Sequence, residues 1–85
     1  MLNFKANIKI TLRKGILDVQ GKAVEKALHS IGYETMENVR IGKYVTLDIQ
    51  AENKEIAIQK TNAACKELIA NPIIEDFEIS LEQSN

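Results

Sequence analysis

The chain has 85 residues, of which 45% are apolar and 27% charged, and its net charge is −1. That length supports one small domain, and a domain this small buries a modest share of its surface, so association with other chains is a common remedy. The near-neutral charge gives no electrostatic case for nucleic acid or an anionic membrane, the single cysteine excludes an intramolecular disulfide, and no apolar run approaches the roughly 20 residues of a membrane helix.

The opening MLNFKANIKI lacks a long apolar core and a small-residue cleavage site. No signal peptide is expected, and the cytoplasm is the simplest address. Residues 4–12 alternate cleanly. Phe4, Ala6, Ile8, Ile10 and Leu12 share one face, and Lys5, Asn7, Lys9 and Thr11 the other. This predicts a half-buried strand with a wet side. Arg13-Lys14-Gly15 ends it. A helix follows, with Asp18 as N-cap. Val24, Ala27, Leu28 and Ile31 have the i, i+3, i+4, i+7 spacing of a buried stripe, and Lys22, Glu25, Lys26 and His29 lie opposite. Gly32 stands where a C′ glycine belongs. Gly21, in the first helical turn, offers close approach to another backbone.

The next stretch, VRIGKYVTLDI, alternates through a Gly-Lys pair without changing phase. Val39, Ile41, Val45, Leu47 and Ile49 are odd-numbered and apolar, Lys43 being the exception. A two-residue hairpin at Gly42-Lys43 would set Ile41 opposite Tyr44 and mix apolar with polar on both faces, so a tight turn is disfavoured. Two arrangements keep the phase: a three-residue loop over residues 42–44, or a continuous strand bent or bulged at Gly42. The continuous strand, of about 12 residues and roughly 40 Å, is preferred. It exceeds what residues 4–12 can pair with, so it asks for a second copy of the chain and a dimer with a shared or segment-swapped sheet.

Asn53 is the N-cap expected for a second helix. Ala57, Thr61, Ala64, Cys65 and Leu68 trace its buried stripe, with Glu55, Gln59, Asn62 and Lys66 on the polar side. Asn71-Pro72 ends it. Residues 73–81 read as a last strand, with Phe77, Ile79 and Leu81 alternating. The order strand, helix, long bent strand, helix, strand predicts an α+β fold, an antiparallel sheet with two helices on one face. Residues 1–82 form one domain, and 83–85 are expected to be a loose C-terminal tail.

No catalytic constellation stands out. The four glycines are scattered, with no phosphate-binding fingerprint. His29, with Glu25 four residues before it, reads as an exposed helix-surface pair rather than a metal site. Cys65 on the buried stripe reads as a small apolar filler. Glu75 and Asp76 are adjacent in a strand, so they point to opposite faces and do not share a site. Arg13, Lys14, Arg40 and Lys43 lie at strand ends or the bend. They are candidates to meet an anion or a carboxylate of a partner, against the plainer reading of a solvated face.

Three segments in order, GILDVQGKAVEKALHSIGY at residues 15–33, VRIGKY at 39–44 and CKELIANPIIEDFEI at 65–79, resemble PurS, the small subunit of phosphoribosylformylglycinamidine synthase. The similarity covers nearly the whole chain. The family usually has proline after the aspartate of the first segment; Val19 stands there, and Asp18 remains to cap the helix. The resemblance implies a non-catalytic subunit of an enzyme of de novo purine biosynthesis. That enzyme converts formylglycinamide ribonucleotide to formylglycinamidine ribonucleotide with ATP, Mg and glutamine. A glutaminase, PurQ, releases ammonia, and a synthetase, PurL, activates the substrate amide. PurS-like chains join the two and form homodimers or tetramers. With no cofactor, metal or catalytic residue expected on this chain, Arg13, Lys14, Arg40 and Lys43 become candidate contacts to the larger subunits. The competing reading is a small regulatory ligand-binding module of ACT-like or ferredoxin-like type. A stand-alone enzyme would need an active site that the residues do not provide.

Overall fold

Strict alternation makes residues 4–12 a strand with one buried face, and pairing on both edges makes that strand the middle of the sheet. In the computed structural model, which describes residues 1–84, β1 (Leu2–Leu12) pairs antiparallel with β2 (Lys43–Ala51) on one side and β3 (Glu75–Ser84) on the other. Phe4, Ala6, Ile8 and Ile10 are buried. Lys5, Lys9 and Thr11 face water, and Asn7 between them is half-buried. The registers Ile8↔Val45 and Ile8↔Ile79 put apolar residues of all three strands on one face. Full burial of one such isoleucine is worth about 1.5–3 kcal/mol.

That face is covered by α2 (Lys54–Ala64), which lies against all three strands. Asn53 caps it, its side chain accepting from the Ile56 amide at 2.9 Å. Ala51, Ala57, Thr61 and Cys65 are buried, and residues this small let the helix lie close to the strands. Thr61 satisfies its hydroxyl by donating to the Ala57 carbonyl at 2.8 Å. The expected stripe fails at its end, because Leu68 is 86% exposed. The helix widens into a π turn over Cys65–Ile69, closed by the Ala70 amide on the Cys65 carbonyl at 2.9 Å. The wider turn rotates the register, so Ile69 and Ala70 pack on the core in place of Leu68.

The other helix, α1 (Val19–Ser30), begins and ends where its residues say it should. It ends in a Schellman motif, with the Tyr33 amide on the Leu28 carbonyl at 2.9 Å and Gly32 at φ +106°. Its expected buried stripe is not buried. Val24 is 40% and Ile31 70% exposed, Ala27 is exposed, and Leu28 is half-buried. α1 leaves the sheet after Leu12 and returns at Lys43, and these are at the same end of β1 because Ile10 pairs with Lys43. β1 is about 36 Å long and α1 about 18 Å, and laid end to end they account for a long axis of 52 Å. The radius of gyration is 16.7 Å, against about 12 Å for a compact domain of this size. α1 is thus an arm, not a second cover.

The phase argument for residues 39–49 holds on the sheet, where Val45, Leu47 and Ile49 are half-buried and their neighbours exposed. No hairpin interrupts it. The ladder begins only at Lys43, however, so β2 has 9 residues. Residues 39–42 continue toward α1, with the Val39 and Ile41 amides held by the side chains of Glu25 and Asp18 and not by a strand. Strand β3 runs through Ser84, opposite Asn3. The loose tail expected at 83–85 is therefore strand at Gln83 and Ser84, because β1 is long enough to pair with them; Asn85 lies outside the described residues.

Candidate functional site

The chain's polar side chains converge where the arm meets the sheet. Asp18 caps α1 because Oδ1 accepts the Gly21 amide at 2.7 Å. Its other oxygen, Oδ2, accepts the Ile41 amide, also at 2.7 Å. Two residues back along the same segment, the Val39 amide donates to Glu25 Oε1 at 3.1 Å. Between them, Arg40 reaches across to the end of β1 and the loop after it. It donates to the carbonyls of Ile16 at 3.2 Å, Arg13 at 3.2 Å and Leu12 at 3.4 Å.

Gly21 makes this contact possible. A Cβ there would lie 2.2 Å from the Val39 carbonyl oxygen, so only glycine lets the two backbones meet. Asp18 is 5% exposed, and amides from Ile41 and Gly21 hold its carboxyl below the ordinary range, with Arg40 adding its charge. The Val39 amide does the same for Glu25, helped by Lys22.

A second polar cluster adjoins the first. Glu75 is buried, and Oε1 accepts the Asn71 amide at 2.7 Å while the Glu75 amide donates to the Asn71 carbonyl at 2.7 Å. Lys43 lies 3.3 Å from its other oxygen. Together these keep the Glu75 carboxyl low, the Asn71 amide most of all. Asp76 points the other way and pairs with Arg13 at 3.3 Å in the open. The expectation that the two neighbouring carboxylates act separately is met. Arg13 also donates to the Pro72 carbonyl. His29 does not pair with Glu25; its Nε2 lies 2.6 Å from the Met36 carbonyl oxygen and ties the helix to the loop after it. Burial pushes the Cys65 thiol up.

The four basic residues singled out in the sequence all lie at this end, but three hold internal partners. Arg40 is committed to three carbonyls, Lys43 to Glu75, and Arg13 to Asp76 and Pro72. Lys14 is exposed and has no ion pair among the described residues. The sequence reading missed Glu25 and the second oxygen of Asp18. The only local signal was a glycine three residues after a helix cap. Among the described residues no three of His, Cys, Asp and Glu converge to hold a metal ion. No buried side-chain polar atom lacks a partner there, and no helix is long and apolar enough to cross a membrane.

Residues 5–83 match the family model described as PurS: Phosphoribosylformylglycinamidine (FGAM) synthase. The chain is 36% identical over 80 residues to the phosphoribosylformylglycinamidine synthase subunit PurS of Bacillus subtilis, covering 94% of each. Its relative of the same name in Methanocaldococcus jannaschii is 34% identical over 80 residues, covering 94% of this chain and 96% of that one. In solved structures, the M. jannaschii PurS superposes with a TM-score of 0.85 over 96% of this chain and 99% of that one. A chain in the structure of PurLQS from Thermotoga maritima superposes with a TM-score of 0.88 at 33% identity, over 96% of this chain and 100% of that one.

Proposed function

The chain belongs to the PurS family of FGAM synthase, and from that premise we propose that it is the small, non-catalytic subunit that holds a PurL-type synthetase and a PurQ-type glutaminase together. The observation that carries this is the fit, over the whole length of that chain, to a component of the T. maritima PurLQS complex. The physical logic is assembly. Ammonia released at one site has to reach another without escaping to water, and a bridge that docks both subunits makes the second docking event intramolecular. In this reading ATP, Mg and glutamine are handled by the larger subunits, and the complex works in the cytoplasm.

The subunit works as a homodimer or tetramer. What supports this is the arm: α1 presents Val24, Ala27 and Ile31 to solvent, and Val45, Leu47, Phe77 and Ile79 on the sheet are only half covered by α2. A second copy can bury both surfaces at once. Of the four basic residues proposed to touch the larger subunits, Arg40 serves this chain's own loop. Lys14 and the exposed sides of Arg13 and Lys43 are then the contacts offered. Reconstitution tests the function. With purified PurL, PurQ and this chain, glutamine-dependent FGAM synthesis is expected, and omission of this chain should abolish it. Equal synthesis without it would overturn the proposal.

A further inference from the structure

We infer that Asp18, Glu25 and Arg40 form a polar latch that fixes the direction in which α1 leaves the sheet. α1 is not held by apolar packing, since Val24 is 40% and Ile31 70% exposed. What ties it to the body is the returning segment, residues 39–41. Alternate amides of that segment enter two carboxylates of the helix region, Ile41 at Asp18 and Val39 at Glu25. The segment therefore runs antiparallel to α1. Two residues of extended chain cover about 7 Å, and seven residues of helix about 10.5 Å. The longer glutamate makes up the difference, because helical side chains lean toward the N-terminus. From the middle of the segment, Arg40 seizes the end of β1 and the loop after it by three carbonyls. The chain leaving the sheet and the chain returning to it are thereby clamped together, and Gly21 lets them touch.

The consequence is directional. A helix on two unclamped linkers could fold back over its own half-covered sheet. The latched helix extends along the sheet axis, where its apolar stripe is available to a second copy. This part rests on the homodimer reading given above.

Asp18→Asn separates the latch from the helix. Asparagine caps as well as aspartate, so Oδ1 can still receive the Gly21 amide. Its NH2 would face the Ile41 amide, donor against donor. Arg40→Ala opens the other jaw. Amide exchange, far-UV circular dichroism and sedimentation equilibrium are measured on the full chain. The latch predicts unchanged helix content and β1 protection. It predicts exchange at Val39 and Ile41 about tenfold faster in both variants, and a dimer dissociation constant raised about tenfold. Unchanged exchange at Val39 and Ile41 overturns the latch. So does loss of β1 protection in Asp18→Asn, which would make the carboxylate a requirement for folding. Faster exchange with unchanged dimerisation overturns its directional role. A wild-type chain that stays monomeric at all concentrations overturns the dimer reading instead, while the exchange data still decide whether the clamp exists.

Discussion

Asp18 shows what one side chain can do when both of its oxygens are used. Its capping role could be read from the sequence, because a cap and its helix are three residues apart. Its hold on Ile41 could not, because that partner is far along the chain and is a backbone amide, which every residue but proline carries. The same applies to Glu25, which looked like one more charge on a polar helix face. A pH prediction follows from Asp18, Glu25 and Glu75, whose carboxyls all lie below their ordinary values because backbone amides donate to the charged form. A carboxyl depressed in the folded state adds stability that is complete above its unfolded pKa and is lost as pH falls through the folded one. Urea midpoints should therefore be level near neutrality and drop below about pH 4, with a shallower drop in Asp18→Asn. A second prediction concerns Gly21. Gly21→Ala gains about 1 kcal/mol of helix propensity, yet its methyl would sit 2.2 Å from the Val39 oxygen. Denaturant unfolding should show a net loss of about 1–3 kcal/mol, and a stabilised variant would mean the backbones part easily.

At the level of elements, the strands were the most legible part. Period-2 alternation names the buried face directly, and the phase of residues 39–49 correctly removed a hairpin. Two helical stripes were misread, for different reasons. The stripe on α1 states which face seeks burial, but not whose chain supplies the cover. The stripe on α2 assumed an α-helix to the end, and a π turn after Ala64 moved Leu68 outward and Ile69 inward. Truncations should separate these positions. Ile8→Ala, in the fully buried centre of β1, is expected to cost about 2–5 kcal/mol. Leu68→Ala should stay within about 0.5 kcal/mol. A cost near that of Ile8→Ala would show that Leu68 is covered when chains associate.

For the molecule as a whole, the family was legible from three short segments taken together, whereas the arm was not, since elongation depends on the angles of two linkers. An 85-residue chain drawn out to 52 Å gives up much of the burial that would stabilise it alone. Its thermal midpoint should accordingly rise with protein concentration, as association stabilises the folded state by mass action. Calorimetry over a hundredfold concentration range tests this, and a constant midpoint would argue that the single chain is self-sufficient. Lys14→Glu should leave that midpoint unchanged and weaken capture of the larger subunits, measured by pull-down with PurL and PurQ. Equal capture would remove Lys14 from the contact surface.

The sheet order β2-β1-β3 also bears on how the chain comes into being. Of the three strands, the central one is synthesised first and its second neighbour last. Asn3 meets Ser84, so one edge of β1 stays bare until β3 has been made. Closing so long a loop is slow in conformational terms. Meanwhile the exposed edge, rich in isoleucine, is a template for pairing with other nascent chains. Lys5 and Lys9 on its wet side place like charge along that edge, which disfavours pairing of one copy with another.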